Sequence, residues 1–228
     1  MTRGILIAGN ESALSRAIEA EVAKRVERFA VSLIPSRFAA VSPPLREAPE
    51  ETPDEKARFS LDWNPGSPIS ARTLVLAAEN RLQRIYEAIL VCSPPSIRRP
   101  ASQLPLADVE ILINDHIKGW FFLVKELASV FTNRKSGALA LVYYDIGSGG
   151  GADDAADLLG PSSAASFRAL TRGLLAAATG DPYITTGFSG ANAGDEKGFA
   201  SFILKNLDDS NAKNNGKLYK YGKFSFFK

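Results

Sequence analysis

Cysteine and histidine are almost missing from this sequence: Cys92 and His116 are the only ones among its 228 residues. A single thiol forms no intramolecular disulfide, and a reducing, cytoplasmic compartment is the expectation. The same counts exclude zinc sites built on several Cys or His ligands within one chain, so no metal is expected. A Ser-His-Asp triad would have to use His116. Long apolar runs are missing as well. The opening Gly4–Ala8 run is too short for a signal peptide, and no stretch approaches the roughly eighteen apolar residues of a membrane span. Nor does one sign of charge dominate. With 27 Lys and Arg against 25 Asp and Glu, the net charge is +2, and nothing global points to nucleic acid or an anionic membrane. The tail is locally basic (Lys213, Lys217, Lys220, Lys223, Lys228), a pattern that usually means solvated charge.

What is present is an ordinary globular composition, 45% apolar and 23% charged, enough for one sizeable core. Short apolar runs alternate with segments of helical period, the pattern of βαβ units and a parallel sheet. Strands are expected at Gly4–Ala8, Phe29–Ile34, Phe59–Asp62, Ala88–Cys92, Ala138–Tyr144, Tyr183–Thr186 and Leu218–Phe227. Leu14, Ile18, Val22 and Val26 recur at four-residue spacing and predict a helix to about Arg28. Further helices are expected at Thr73–Tyr86, Asp108–Phe131, Ser162–Ala178 and Gly198–Leu207. In the long third one, Val109, Ile113, Ile117, Trp120, Val124, Leu127 and Phe131 would face inward. The Pro- and Glu-rich stretch from Ala40 to Ala57 reads as an exposed loop, and Gly147–Gly151 as a mobile one. That glycine run lacks the Gly-Lys-Ser/Thr of a phosphate-binding P-loop. With no repeat and no shift in composition, residues 1–228 form one domain: a Rossmann-type, doubly wound α/β sheet of about seven mostly parallel strands, with helices on both faces.

In such folds the turn after the first strand offers backbone N–H groups and a helix dipole to a pyrophosphate. Here it reads Gly9-Asn10-Glu11-Ser12-Ala13-Leu14-Ser15. A tight strand-to-helix turn also needs a glycine for purely structural reasons.

Taken with the order of the later segments, the chain resembles the short-chain dehydrogenase/reductases over essentially its whole length. The family's Gly-x-x-x-Gly-x-Gly corresponds to Gly9, Ala13 and Ser15, and its acid after the third strand to Asp62. Its Asn-Asn-Ala-Gly falls on Cys92-Ser93-Pro94-Pro95, its Asn-x-x-Gly on His116-Ile117-Lys118-Gly119, and its Pro-Gly on Ser189-Gly190. The stretch Ser163–Arg172 matches the helix that carries the family's Tyr-x-x-x-Lys. In that register the tyrosine is replaced by Gly160 and the lysine by Ala164, and the catalytic serine falls on Asp145 or Ile146. The resemblance therefore implies the fold while every usual catalytic position departs. Loss of a positioned acid/base alone lowers a rate by roughly 10²–10⁴.

The resemblance implies a cofactor crevice lined by Gly9, Asn10, Ala13, Leu14, Arg37, Asp62, Cys92 and Ser93. No acid ends the second strand to hold a ribose 2′-hydroxyl, and Arg37 would suit a 2′-phosphate, so NADP is favoured over NAD. The alternative is an empty turn, and an alanine forced to positive φ at position 13 would be strained. Two readings of activity stand side by side. One is a catalytically impaired scaffold used for binding or assembly. The other is an NADP-dependent oxidoreductase with a displaced acid/base site on His116 with Asp145 or Tyr144. The plainer account of His116 is a helix histidine satisfied by a backbone carbonyl. The plainer account of Cys92 is a small core residue. Relatives of this kind pair through the two helices expected at 108–131 and 162–178, which implies a homodimer or homotetramer.

Overall fold

The computed structural model describes residues 3–35, 57–94, 99–145, 157–191, 194–209 and 212–222. Arg37, Pro95, Ile146, the Gly147–Gly151 run, nearly all of the Pro-rich stretch and the last residues of the tail lie outside the described residues. Seven strands form a single parallel sheet: β1 (Gly4–Asn10), β2 (Arg28–Ile34), β3 (Ala57–Ser60), β4 (Glu87–Cys92), β5 (Ala138–Tyr144), β6 (Ile184–Gly190) and β7 (Leu218–Tyr221), in the spatial order 3-2-1-4-5-6-7. This is the doubly wound α/β architecture expected from the sequence.

Both faces of the sheet are covered, which is why its central strands read as unbroken apolar runs rather than alternating ones. On one face Ile5, Ile7, Ile89, Val91, Ala140 and Val142 pack against α1 (Ala13–Ala23) and α6 (Glu196–Asp208). On the other, Leu6, Ala8, Leu90, Leu139 and Leu141 meet α2 (Pro68–Leu82), α4 (Gly119–Arg134) and α5 (Leu159–Ala177). Each buried Leu, Ile or Phe contributes about 1.5–3 kcal/mol, so the core lies in the two layers flanking β1, β4 and β5.

Several boundaries differ from the periodicity, each for a local reason. The first helix ends at Ala23, because Arg28 already pairs in β2 with Gly4 on one side and Ala57 on the other. The second begins earlier, with Ser67 as cap and Pro68 in the first turn, where a missing N–H costs nothing. It stops at Leu82, since Gln83 turns left-handed (φ 63°) and Glu79 captures the Ile85 N–H at 2.6 Å. β6 runs on through Gly187, Ser189 and Gly190, which look like breakers in sequence but pair with β5 on one side and β7 on the other. Ser189 and Gly190 therefore lie within the strand rather than after it.

The long third helix is not one α-helix. It comprises α3 (Leu106–Ile113), a π-turn at Asn114–Lys118, and α4. The Gly119 N–H reaches back five residues to the Asn114 carbonyl. The extra residue rotates the helix faces by about 100°, so the apolar stripe changes register there. Ile113, expected inside, is 40% exposed, and Leu112 is buried in its place. Gly119 explains the tolerance for this turn. A Cβ there would overlap the ring of Pro65 and approach its Cα to 3.1 Å. The Trp63–Gly66 loop thus lies directly on the π-turn.

Alanine at Gly119 is expected to destabilise the fold by about 1–3 kcal/mol through this overlap. Alanine at Gly173, also helical but with open space around it within one protomer, should stabilise the protomer by about 0.5–1 kcal/mol. Urea midpoints of the two variants check both signs, and equal effects would show that the Pro65 contact is unimportant.

Candidate functional site

The sheet changes direction between β1 and β4, and the crevice beyond their carboxyl ends is where open α/β folds bind ligands. Gly9, Asn10, Cys92 and Ser93 meet there. Gly9 is at φ 153° with its Cα against the Val91 backbone, so no side chain fits. Asn10 is buried, and its Oδ1 accepts the Ser93 N–H at 3.1 Å, stapling the two strand ends together. Cys92 is fully buried and burial pushes its thiol pKa far up, so it is a packing residue. Leu14 turns into the core beneath the sheet. Asp62 is exposed beyond β3, and its neighbour Trp63 is buried.

In the turn leading into α1 two serines cap each other. Ser12 is the N-cap: its Oγ accepts the Ser15 N–H at 3.1 Å, while the Ser15 Oγ accepts the Ser12 N–H at 2.8 Å. The Glu11 N–H donates to the Ile34 carbonyl at 2.9 Å, and the Glu11 carboxylate pairs with Arg16. Ala13 is the first helical residue and has no positive φ, so the strain considered for it from the sequence does not arise.

Further along the same edge, Asp145 follows β5 and its carboxylate takes a hydrogen bond from Arg168 of α5 at 2.9 Å. Gly160 and Ala164 occupy α5 beside them, and the Gly160 N–H donates to Asp157 at 3.0 Å. His116 and Asp115 are buried in the π-turn, which packs against α5. An aromatic run crosses beneath: Tyr143 to Phe167 (6.1 Å between ring centroids), Phe167 to Trp120 (4.9 Å), and Trp120 to Trp63 (5.8 Å), all edge-on.

One grouping made from the sequence is corrected here. Tyr144 does not share a face with His116. It lies under the sheet against Phe199, and its hydroxyl is buried with no partner among the described residues. Burial, and then Glu196, Asp195 and Tyr221, push its pKa up to about 12. Tyr143 is the tyrosine on the α5 side, its ionisation also raised, first by burial and then by Asp145. Strand alternation carries that signal, since Tyr143 follows Leu139 and Leu141 at intervals of two. Arg168 and the Ser12–Ser15 pair were the other features missed. The spacing Ser-x-x-Ser before an apolar run is a legible cap, but the reach of Arg168 to Asp145 depends on how α5 crosses β5.

Among the described residues, no group of three or more His, Cys, Asp or Glu side chains is placed to hold a metal, and no helix is long and apolar enough to cross a membrane. The fold is that of the short-chain dehydrogenases and reductases. Levodione reductase superimposes with a TM-score of 0.73 at 12% identity, covering 96% of this chain and 95% of its own. Serine dehydrogenase from Escherichia coli gives 0.72 at 13%, with 96% of each chain covered. A short chain dehydrogenase from Bacillus anthracis gives 0.73 at 14%, covering 96% of this chain and 94% of its own. No protein-family profile matches the sequence, and no functionally described protein aligns with it significantly.

Folds of this type lay a dinucleotide across the crevice, with its pyrophosphate on the turn. The residues of this turn do not fit that group. Its N–H donors at Glu11, Ser12 and Ser15 already have protein acceptors, and it carries the Glu11 carboxylate, which pairs with Arg16.

The raised pKa of Tyr144 has a stability consequence of definite sign. The folded state favours the neutral phenol, so this contribution is present below about pH 10 and is lost as pH rises towards 12. Phenylalanine at position 144 should leave the protein at least as stable at pH 8, with a gain up to about 1 kcal/mol from removing a buried, unpartnered hydroxyl. It should also lessen the fall above pH 10. A Tyr144→Phe protein that unfolds more readily at pH 8 would show that the hydroxyl is satisfied after all.

Proposed function

We propose that this chain is a short-chain dehydrogenase-like scaffold that does not transfer hydride and works by binding or by assembly. The Arg168–Asp145 pair carries this reading. It stands where the resemblance expects the serine that positions a substrate oxygen, beside a helix whose acid/base positions are Gly160 and Ala164. A half-exposed pair of this kind contributes about 0–1 kcal/mol to stability, so it is no structural necessity. It does neutralise the carboxylate that a displaced mechanism would need. The competing reading, an NADP-dependent oxidoreductase using His116, Asp145 or Tyr144, loses support because Tyr144 lies across the sheet and Asp145 is engaged.

The surface of α4 and α5 supports self-association. Phe121 is 52% exposed on α4, and Ala165, Ala169 and Gly173 leave a small-residue face open on α5. A homodimer or homotetramer packed through these helices would bury both. The free Cys92 accords with a cytoplasmic location.

Absorbance at 340 nm, read with NADPH, NADH, NADP or NAD against a panel of carbonyl and alcohol substrates, is expected to stay at the no-protein background. Turnover that disappears in His116→Ala would sink the scaffold reading and restore the displaced mechanism. In sedimentation velocity the parent should run as a dimer or tetramer. Ala169→Arg, placing a long cation on the packed face, should shift it towards monomer by roughly a hundredfold in dissociation constant. An unchanged profile would move the interface elsewhere.

A further inference from the structure

We infer that the dinucleotide crevice of this chain is closed by its own residues: Ser12 and Ser15 occupy the anion-binding turn, Glu11 opposes negative charge there, and Asn10 bridges the strand ends. Four N–H groups around the crevice, those of Glu11, Ser12, Ser15 and Ser93, each donate to a protein acceptor, at 2.9, 2.8, 3.1 and 3.1 Å. The Ser15 hydroxyl also donates back to the Ser12 carbonyl at 2.9 Å. The two serines therefore exchange hydrogen bonds with each other's backbone, and the N–H groups at the two ends of the first turn of α1 are engaged without a ligand.

The chemistry separates this from a glycine turn. A glycine at position 15 has no oxygen to offer the Ser12 N–H, which would then point to the crevice unpaired, and an arriving phosphate would gain it as a charge-assisted bond. Here the phosphate must displace an existing acceptor to obtain the same bond, so the gain largely cancels. It must also approach the Glu11 carboxylate. Arg16 pairs with that carboxylate, so the charges of the turn are balanced internally and present no net cation to the ligand. The π-turn adds a second restraint. It holds the Trp63–Gly66 loop through Pro65 and Gly119, and Trp63 lies buried against Trp120 beside the exposed Asp62. The fold thus keeps the shape of a dinucleotide site while its own groups engage the Glu11, Ser12, Ser15 and Ser93 donors around it.

The inference rests on the scaffold reading but fails separately from it, because binding without turnover would remove this inference alone. Isothermal titration of the full chain with NADPH, NADP, NADH and NAD is expected to give no binding up to about 1 mM. Glu11→Ser combined with Ser15→Gly should then bind at least tenfold more tightly than that limit, about the value of one recovered charge-assisted contact. Micromolar binding by the parent overturns the inference. Failure of a folded double variant to gain affinity also overturns it, since the exclusion would then lie outside the turn. If the double variant does not fold, amide exchange of the parent decides. Slow exchange at Ser12 and Ser15 without any ligand supports the closed turn, and fast exchange overturns it.

Discussion

Everything in this molecule depends on β1 pairing in parallel with β2 on one side and β4 on the other. Parallel pairing sends every strand's carboxyl end to one edge, so the connections that carry chemistry gather there. It also demands a covering layer on both faces, because each crossover returns as a helix over the sheet. The residues of β1 are buried throughout, and Gly9 lies one residue before its end, where the Val91 backbone leaves no room for a side chain. From that contact follow the position of the turn, the angle at which α1 leaves it, and the crevice shared with Ser93.

The edge so formed carries groups that pair with one another. At the β1–β4 crevice, serines cap each other and an asparagine spans the strand ends. At the β5 end, an arginine holds the aspartate that follows the strand. Between them the aromatic run from Tyr143 to Trp63 fills the interior with edge-on ring contacts.

The π-turn interrupts regular helix geometry on the site's side of the sheet. It puts Asp115 and His116 inside, rotates the start of α4 so that Trp120 packs against Phe167, and seats Gly119 on Pro65. The turn is thus a packing device as much as a site.

By itself the sequence determined the strands, their parallel order and the covering helices. Those signals are local: apolar runs such as Ala138–Tyr144, four-residue spacing such as Leu14–Ile18–Val22, and turn residues between them. The resemblance also put Gly9, Asn10 and Ser93 at one crevice, where the strand ends bring them together. Only the tertiary structure decided that Tyr143 rather than Tyr144 faces α5, that Arg168 holds Asp145, and that the long helix changes register at Asn114–Lys118. Each of these depends on what lies opposite in space. Which of two adjacent tyrosines faces the site is set by strand register and the reach of Arg168 by the crossing of α5 over β5, while Gly119 at the end of the π-turn meets a proline some fifty residues earlier in the chain. Periodicity along the chain carries no information about those neighbours.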